Sequence, residues 1–370
     1  MPKMCLQDTA PVEEAWKTVP LTYPSVEIPE DCLYLYVYRP TGTASGDKLP
    51  VMMWIHGGGL AAGGALQYDG SPLAAYQNVV VVVIQYRLSI LGFLSKGDQH
   101  TPGNWGFLDQ IAGLQWVRDN IAAFNGDPNS VTIFGQSAGG ISVSMLELSP
   151  LAEDLFHKAI AMSGVAPLEA HYTSNPLAMA QMIANLSDCE SSNSPPEKVL
   201  KHQEFQKVPI MIGLTNHEFG WMLPKLLGPP GGDHGMKRED VKSVMNMFFP
   251  ARADSPENVR DVFTEILGDM VLVLPVLKVA AYHRDAGVAV YVYEFQHSPL
   301  MHGSTRPTFV KADHYDDALF FLGACFCTGH TVATGHVSQE EEELSKLAMA
   351  YIANFARSGS ANGPRLSAKD

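Results

Sequence analysis

Basic residues are scarce in this sequence, and their shortage limits the partners the protein can have. Its 370 residues include 25 Lys and Arg against 39 Asp and Glu, a formal net charge of −14 at pH 7. Proteins that bind nucleic acid usually present a basic face to the phosphates, so we expect no nucleic-acid partner. The charge balance does not argue against a small neutral substrate.

Long apolar runs are also missing. The aliphatic run Val79 to Ile84 is far shorter than the roughly 20 residues that a membrane-spanning helix needs. Residues 1–25 carry Lys3, Asp8, Glu13 and further charges where a secretory signal peptide would have an apolar centre. We therefore expect no membrane span and no signal peptide in this chain, and the residues alone leave its compartment open.

Cysteine is infrequent and odd in number. The chain has 5 Cys, so at least one thiol is free or has its partner outside this chain. No spacing of His and Cys matches a metal site, because His217-Glu218 lacks the second His that a zinc helix needs. We expect no metal and no cofactor.

Apolar runs that alternate with helical patterns predict a mostly parallel α/β sheet. The run Val79–Gln85 shows no alternation of polar and apolar residues, which is typical of a strand covered on both faces. Apolar residues at helical spacing predict a helix over Asp109–Phe124. Further strands are predicted at Leu33–Tyr38, Val51–Ile55, Val131–Phe134, Ala159–Met162, Ile210–Leu214 and Val288–Phe295.

A second helix is predicted near the end of the chain. Its N-terminus is marked by the capping box Ser338-Gln-Glu-Glu341, and Gly359 marks its end. We interpret the acidic run Glu340–Glu343 as a solvated first turn that the helix dipole favours. The expected apolar stripe consists of Leu344, Leu347, Tyr351 and Phe355.

The motif Gly135-Gln136-Ser137-Ala138-Gly139 lies between a predicted strand and an expected helix. In this setting a tight turn lifts a serine oxygen above the end of a sheet, as in the nucleophile elbow of hydrolases. Gly135 and Gly139 are small enough to allow such a turn. The glycine pattern alone occurs easily by chance, so its position in the chain gives the motif its weight.

A glycine loop, His56-Gly-Gly-Gly59, follows the predicted strand Val51–Ile55. Backbone N–H groups of such a loop can approach the negative oxygen of a tetrahedral intermediate without obstruction by side chains. The N–H of Ala138, next to the serine, is a natural further donor. An ordinary glycine-rich turn is the alternative, and the position of the loop before Ser137 favours the anion-stabilising interpretation.

A nucleophilic serine needs a base, and the base needs an acid that orients it. In α/β-hydrolases the order along the chain is serine, acid, histidine, which makes Glu218 and His314 candidates. Both follow predicted strands, at the sheet edge where sites collect. The chain has 13 His, so the residues alone leave solvated surface positions as an open alternative for both.

Taken together, the motifs resemble those of the type-B carboxylesterases, above all the vertebrate carboxylesterases. They keep the family's order over nearly the whole chain, which makes the combination highly specific. The motifs are Glu30-Asp-Cys-Leu-Tyr-Leu35, His56-Gly-Gly-Gly59, Gln85-Tyr-Arg-Leu88, Gly103-Asn-Trp-Gly106 with Asp109-Gln110, Val131 to Gly140, Ser163-Gly164, Glu218-Phe-Gly-Trp221, His283-Arg-Asp-Ala-Gly287, Asp313-His314 and Asn354-Phe-Ala-Arg357.

The resemblance implies an α/β-hydrolase fold, with a mostly parallel central sheet and helices on both faces. Residues 1–370 would form one shortened domain that lacks the family's N-terminal strands and C-terminal helices. It implies a serine esterase of broad specificity that cleaves small-molecule or lipid-like carboxylic esters through an acyl-enzyme. The alternative is a truncated, catalytically impaired family member. The family's setting is the ER lumen or the secretory route, and the oligomeric state is not readable.

The resemblance also assigns roles to the site residues. Ser137 would be the nucleophile, His314 the general base and acid, and Glu218 the residue that orients His314. Ser163 would support the buried acid. The oxyanion-hole N–H groups would come from Gly58, Gly59 and Ala138.

The cysteines and one asparagine receive expectations from the same resemblance. Cys5 and Cys32 match the family's first disulfide, which would suit an oxidising compartment. Asn185-Leu-Ser187 is a candidate N-glycosylation sequon. Cys189 matches half of a second disulfide whose partner is missing, and Cys325 and Cys327 are expected to be buried thiols.

Two positions beside the expected site depart from the family pattern. Gln136 replaces the more usual Glu before the serine. Tyr315 replaces a Gly directly after His314, where we expect the bulky side chain either to crowd the site or to require a strained backbone.

Overall fold

The structure is a computed structural model that describes residues 3–8, 17, 19–44, 46–95, 103–167, 205–223 and 255–362. The candidate sequon at Asn185 and the candidate unpaired Cys189 lie outside these residues and stay predictions. Within the described residues no helix has the length and apolar character that crossing a membrane requires.

Strands in the described residues belong to two sheets. A seven-stranded sheet forms the centre of the fold, and β1 pairs with β9 in a separate two-stranded sheet. The strands are β1 (Leu21–Thr22), β2 (Leu35–Tyr38), β3 (Leu49–Ile55), β4 (Val80–Ile84), β5 (Gly126–Gln136), β6 (Lys158–Met162), β7 (Ile210–Thr215), β8 (Val290–Phe295) and β9 (Val332–Ala333).

The central sheet has the strand order β2-β4-β3-β5-β6-β7-β8. Only β2 runs antiparallel to its neighbour, and every other pair is parallel, so the predicted mostly parallel sheet is confirmed. All seven central strands were expected at these places, with small shifts in their bounds. The largest shift is in β5, which begins at Gly126 instead of Val131.

Helices connect and cover the strands. Eight α-helices lie in the described residues: α1 (Ser71–Gln77), α2 (Ser89–Phe93), α3 (Trp105–Asn120), α4 (Ala138–Leu148), α5 (Pro256–Gly268), α6 (Leu274–Asp285), α7 (Asp316–Phe321) and α8 (Gln339–Ser358). Short 3₁₀ turns occupy Ala65–Gln67, Ile121–Phe124, Pro150–Ala152, Leu300–Thr305 and Ala324–Phe326, and a π-helical turn spans Asp269–Val273.

Alternate side chains of the central strands enter two separate apolar cores. On one face, Met53 and Ile55 of β3 pack with residues of α3, α4 and α6. On the other face, Met52 and Trp54 of the same strand pack with residues of α1, α7 and α8. Each fully buried apolar side chain contributes about 1.5–3 kcal/mol. Burial on both faces explains the unbroken apolar runs of the sequence and confirms helices on both faces.

The first described residues are tied to the sheet by a disulfide. Cys5 and Cys32 are bonded over a sequence separation of 27, as the resemblance implied. Both are buried and pack into the core on the α3 face. The N–H of Met4 also donates to the carbonyl of Glu27 at 2.9 Å.

The first turn of α8 differs from the expectation. The capping box at Ser338 is present and Gly359 ends the helix with a φ of 72°, as predicted. The interpretation of Glu340–Glu343 as a solvated turn is wrong for Glu341, which is 1% exposed. Its carboxylate accepts hydrogen bonds from the N–H groups of Ser338 and Leu300.

The predicted apolar stripe of α8 lies at the margin of its buried face, with Phe355 in the core and Leu344 packed against it. Leu344, Leu347 and Tyr351 are only half-buried, and Phe355 alone is fully buried. Because Glu341 faces inward, the residues that follow it at helical spacing share its face. The buried positions after Glu341 are Ser345, Ala348, Met349, Ile352, Ala353, Asn354, Phe355 and Ala356.

The two late cysteines differ from each other. Cys327 is buried, as expected, and its burial raises the pKa of the thiol to about 12. Cys325 is only half-buried, so the expectation of a buried thiol is wrong there. Cys325 lies in a short 3₁₀ turn beside α8, which leaves part of its side chain exposed.

Replacing Ser338 by Ala should destabilise the fold by about 1 kcal/mol, because the Ser338 hydroxyl accepts the N–H of Glu341 at the start of α8. Urea unfolding of both proteins would measure this difference. The matched control is Ser304→Ala at an exposed position, which should leave the unfolding midpoint unchanged. An equal shift in both variants would contradict the capping role.

Candidate active site

Ser137 stands on a sharp turn between β5 and α4. Its φ of 58° and ψ of −124° are a strained conformation for a residue with a side chain. A side chain at Gly139 would place its Cβ 2.0 Å from the carbonyl oxygen of Ile55, and one at Gly135 would come within 2.6 Å. Only glycine fits at these two positions, because the turn packs directly against the end of β3.

Neighbouring strands hold the turn in place. The N–H of Ser137 donates to the carbonyl of Met162, at the end of β6, at 2.9 Å. A Cβ at Gly164 would lie 2.1 Å from the carbonyl oxygen of Ser137. Ser137 itself is half-exposed, although residues 131–136 and 138–144 are all buried. The serine is thus the residue of this segment with the most exposed side chain.

The glycine loop after β3 lies against the serine. A Cβ at Gly57 would be 3.1 Å from the Cβ of Ser137, and one at Gly58 would be 2.0 Å from the carbonyl oxygen of Ala62. Gly58 and Gly59 have φ values of 106° and 65°, which glycine adopts readily. The close contacts and the positive φ values together explain why glycine occupies these three positions of the loop.

His56 anchors the glycine loop and is not a titrating group. It is fully buried, and its burial lowers the pKa of the imidazole to about 4. Its ring stacks on Tyr86 with centroids 4.4 Å apart, and the hydroxyl of Tyr86 donates to the His56 carbonyl at 2.8 Å. The neutral ring therefore fixes the start of the loop.

Backbone donors are available around Ser137. Among the described residues, no protein group accepts a hydrogen bond from the N–H groups of Gly58, Gly59 or Ala138. Gly58 lines the same cavity as Ser137, Gly59 is exposed, and Ala138 is buried at the first position of α4. Ala138 also stands at a helix N-terminus, where the helix dipole favours negative charge.

Glu218 is a buried carboxylate with three donors. Its side chain is 2% exposed. Oε1 accepts the hydroxyl of Ser163 at 2.6 Å and the N–H of Thr215 at 2.7 Å. Oε2 lies 2.6 Å from Nδ1 of His314. Buried polar groups are stable when they are hydrogen-bonded in this way, so the network fixes the position of the Glu218 carboxyl group.

His314 reaches Glu218 because two chain segments run side by side. His217 and Asp313 form a parallel bridge, which brings the segment after β7 next to the segment before α7. Burial alone would lower the pKa of His314, but the charge and hydrogen bond of Glu218 raise it above its ordinary value. The imidazolium form is thereby favoured.

The other ring nitrogen of His314 meets Gln136. The Gln136 amide nitrogen is 3.0 Å from His314 Nε2, whereas no hydrogen bond joins Ser137 Oγ to His314 in this part of the structure. With the Nδ1 proton shared with Glu218, a neutral ring accepts the Gln136 N–H at Nε2. Sequence reasoning treated Gln136 as a minor substitution and missed this contact.

Two more buried carboxylates surround His314. Asp313 accepts the N–H groups of Trp221 and Met222, and Asp317 accepts the hydroxyl of Tyr293 at 2.7 Å. Burial raises the pKa of each carboxyl to about 7. Asp313, Asp316 and Asp317 flank His314 in the sequence, but the acid that touches the imidazole is Glu218, the candidate that the sequence analysis named.

A cavity of about 640 Å³, including its open mouth, lies over these groups. Ser137, His314, Gln136, Gly57 and Gly58 form its polar end. Its remaining lining is mainly apolar and aromatic, from Val19, Tyr23, Tyr68, Met222, Leu223 and Tyr315. Within the residues that the structure describes, no group of His, Cys, Asp and Glu could hold a metal ion.

Comparison with known proteins places the chain in a family. Residues 1–195 and 193–369 match the model of the carboxylesterase family. Over 424 aligned residues the chain is 41% identical to the medium-chain fatty acyl-CoA hydrolase precursor of Anas platyrhynchos, covering 99% of this chain and 75% of that protein.

Two further relatives support the same family. Carboxylesterase 5A of Canis lupus familiaris is 42% identical over 99% of this chain and 72% of its own length. The cocaine esterase of Homo sapiens is 40% identical over 99% of this chain and 74% of its own length. The family match and these identities over almost the whole sequence show that the chain belongs to the carboxylesterase family.

Proposed function

We propose that this protein is a serine hydrolase that cleaves carboxylic esters through an acyl-enzyme intermediate. The observation that carries the proposal is the 2.6 Å contact between Glu218 and His314, beside a half-exposed serine on a strained turn. Family membership supports ester hydrolysis, and the local geometry supports the serine mechanism.

In the first step Ser137 Oγ attacks the ester carbonyl carbon while its proton moves to Nε2 of His314. The negative oxygen of the tetrahedral intermediate would be stabilised by the N–H groups of Gly58, Gly59 and Ala138. Glu218 stabilises the imidazolium that forms, since its carboxylate already holds Nδ1.

In the second step the C–O bond to the leaving alcohol breaks, and His314 returns its proton to that oxygen. Water then attacks the acyl-enzyme, again with His314 as base, and releases the carboxylic acid and the free serine. These reaction steps require no metal or cofactor, because every proton and electron pair is exchanged among serine, histidine, ester and water.

Gln136 has to release His314 before the serine can use it. Its amide occupies Nε2, the nitrogen that must accept the serine proton. Catalytic hydrogen bonds often form only when substrate is bound, so a rotation of the Gln136 side chain would complete the site. The catalytically impaired alternative predicts instead that this contact persists and that Ser137 stays unreactive.

The substrate class follows from the cavity and from the relatives. Its mainly apolar lining suits small or lipid-like neutral esters. The relatives are named for different substrates, the ester cocaine and the thioester acyl-CoA, which supports a broad specificity. The Cys5–Cys32 disulfide supports an oxidising compartment such as the ER lumen or the secretory route.

A fluorophosphonate probe should label the folded chain at Ser137, because attack on phosphorus uses the same nucleophile and base as attack on an ester. Labelling would be read by gel fluorescence and by mass spectrometry of the modified peptide. Ser137→Ala should abolish the label, and the exposed control Ser304→Ala should retain it. A folded wild-type chain that takes up no probe and turns over no ester would support the impaired alternative.

The activity should rise with pH as His314 loses its proton, with a midpoint above about 6.5 because Glu218 raises the pKa of the imidazole. Gln136→Glu should move this midpoint to still higher pH, because a carboxylate beside Nε2 favours the imidazolium. The profile of kcat/KM against pH measures both midpoints.

The matched control is Gln339→Glu, which adds the same charge at an exposed position and should leave the midpoint of the pH profile unchanged. Equal midpoints for the wild type and Gln136→Glu would show that Gln136 does not contact His314 in the free enzyme, whose pKa values this profile reports.

A further inference from the structure

Tyr315 occupies a backbone conformation that a bulky residue rarely adopts. Its φ of 84° and ψ of −16° fall in the left-handed region, directly after His314 and at the N-terminus of α7. Such strain persists only where the surroundings hold the residue in place. The Tyr315 ring is half-buried and meets the ring of Tyr68 edge-on, with centroids 6.3 Å apart.

These two rings lie between two cavities. Tyr68, Tyr315 and Gln67 line the cavity that contains Ser137, and the same three residues line a second, partly open cavity of about 250 Å³, its mouth included. No other residue is shared between the two linings. The three side chains therefore form the wall that separates the serine from the second space.

The second cavity is suited to hydrocarbon. Its lining is mainly apolar and includes Leu21, Leu319 and Leu322. Two polar groups, Asp69 and Thr331, also border it, and the Asp69 carboxylate already accepts the N–H of Ser71 at 2.9 Å. A neutral alkyl chain fits this environment, whereas an anionic group would be repelled by Asp69.

From these two linings the geometry points to Tyr315 as a specificity-determining partition that stops the hydrocarbon chain of the ester short of the second cavity. Gln67 and Tyr68 complete the wall, but both are buried, and the Gln67 carbonyl oxygen Oε1 already accepts the N–H of Gly64. Tyr315 is the wall residue whose backbone conformation suits glycine. The inference rests on the proposed ester hydrolysis at Ser137.

Removing the partition should lengthen the accepted chain. Tyr315→Gly removes the ring, so the two cavities become continuous. It also relieves the backbone strain, because glycine adopts this conformation readily. Every additional methylene that becomes buried favours binding by about fourfold. The ratio of kcat/KM for octanoate to that for acetate should therefore rise on the order of tenfold or more in this variant.

The experiment compares the wild type, Tyr315→Gly and Tyr315→Phe on two ester series. One series is p-nitrophenyl acetate, butanoate and octanoate, and the other is ethyl, butyl and octyl acetate, which lengthens the alcohol side. Tyr315→Phe keeps the ring and should keep the wild-type preference for short chains. Melting temperature and fluorophosphonate labelling show that each variant is folded and has a reactive serine.

The outcomes separate this inference from the proposed function. A longer chain accepted by Tyr315→Gly in either series, with no such gain in Tyr315→Phe, supports the partition. Hydrolysis of short esters by all three proteins with unchanged length profiles overturns the partition and leaves the esterase intact. A wild type that shows no preference for short chains in either series also overturns it, even if Tyr315→Gly does not fold. Failure of every ester and of the probe would instead refute the esterase.

Discussion

The buried carboxylate of Glu218 is the group on which the rest of the site depends. It joins three places in the fold, because its donors are Ser163 after β6, Thr215 at the end of β7 and His314 before α7. Removing a partner from a buried polar group is costly, so the three donors and the Glu218 carboxyl group hold one another in place. The orientation of the His314 ring, and with it the direction of Nε2, follows from this network.

The sheet explains why such distant residues meet. Ser137, Ser163 and Glu218 all follow parallel strands, whose carboxyl ends lie at one edge of the sheet. The glycines at 135, 139 and 164 allow the backbone segments at this edge to approach more closely than any side chain would permit. The strain at Ser137 is held by this packing, which leaves the hydroxyl exposed above a buried core.

Much of this arrangement was predictable from the sequence. Unbroken apolar runs such as the β4 valines and the strand–turn–helix setting of Ser137 gave the sheet and the turn, because periodicity and glycine placement are local signals. The family motifs added Glu218, His314 and the Cys5–Cys32 pairing, which spacing alone could not select. The departures at Gln136 and Tyr315 were also visible, but their consequences depend on contacts across the fold.

The features that the sequence did not predict share one physical origin, because each depends on contacts between distant parts of the chain. Glu341 looked like a solvated acid, but contacts from distant residues, the N–H of Leu300 and the ring of His297, help to make its burial favourable. The Gln136 contact with His314 joins residues 178 positions apart, and no local pattern encodes it. Whether an acid near His314 touches the imidazole or, like Asp317, pairs with a tyrosine is equally a matter of tertiary packing.

The most direct test of the central claim is nitrogen-15 and proton NMR of the His314 ring in the folded protein. At a pH above the pKa of His314, the Nδ1 proton should appear strongly downfield because it is shared with Glu218, and Nε2 should carry no proton. The Glu218→Ala variant should lose this downfield signal while keeping its fold. A ring protonated on Nε2, or a spectrum unchanged by the loss of Glu218, would contradict the account.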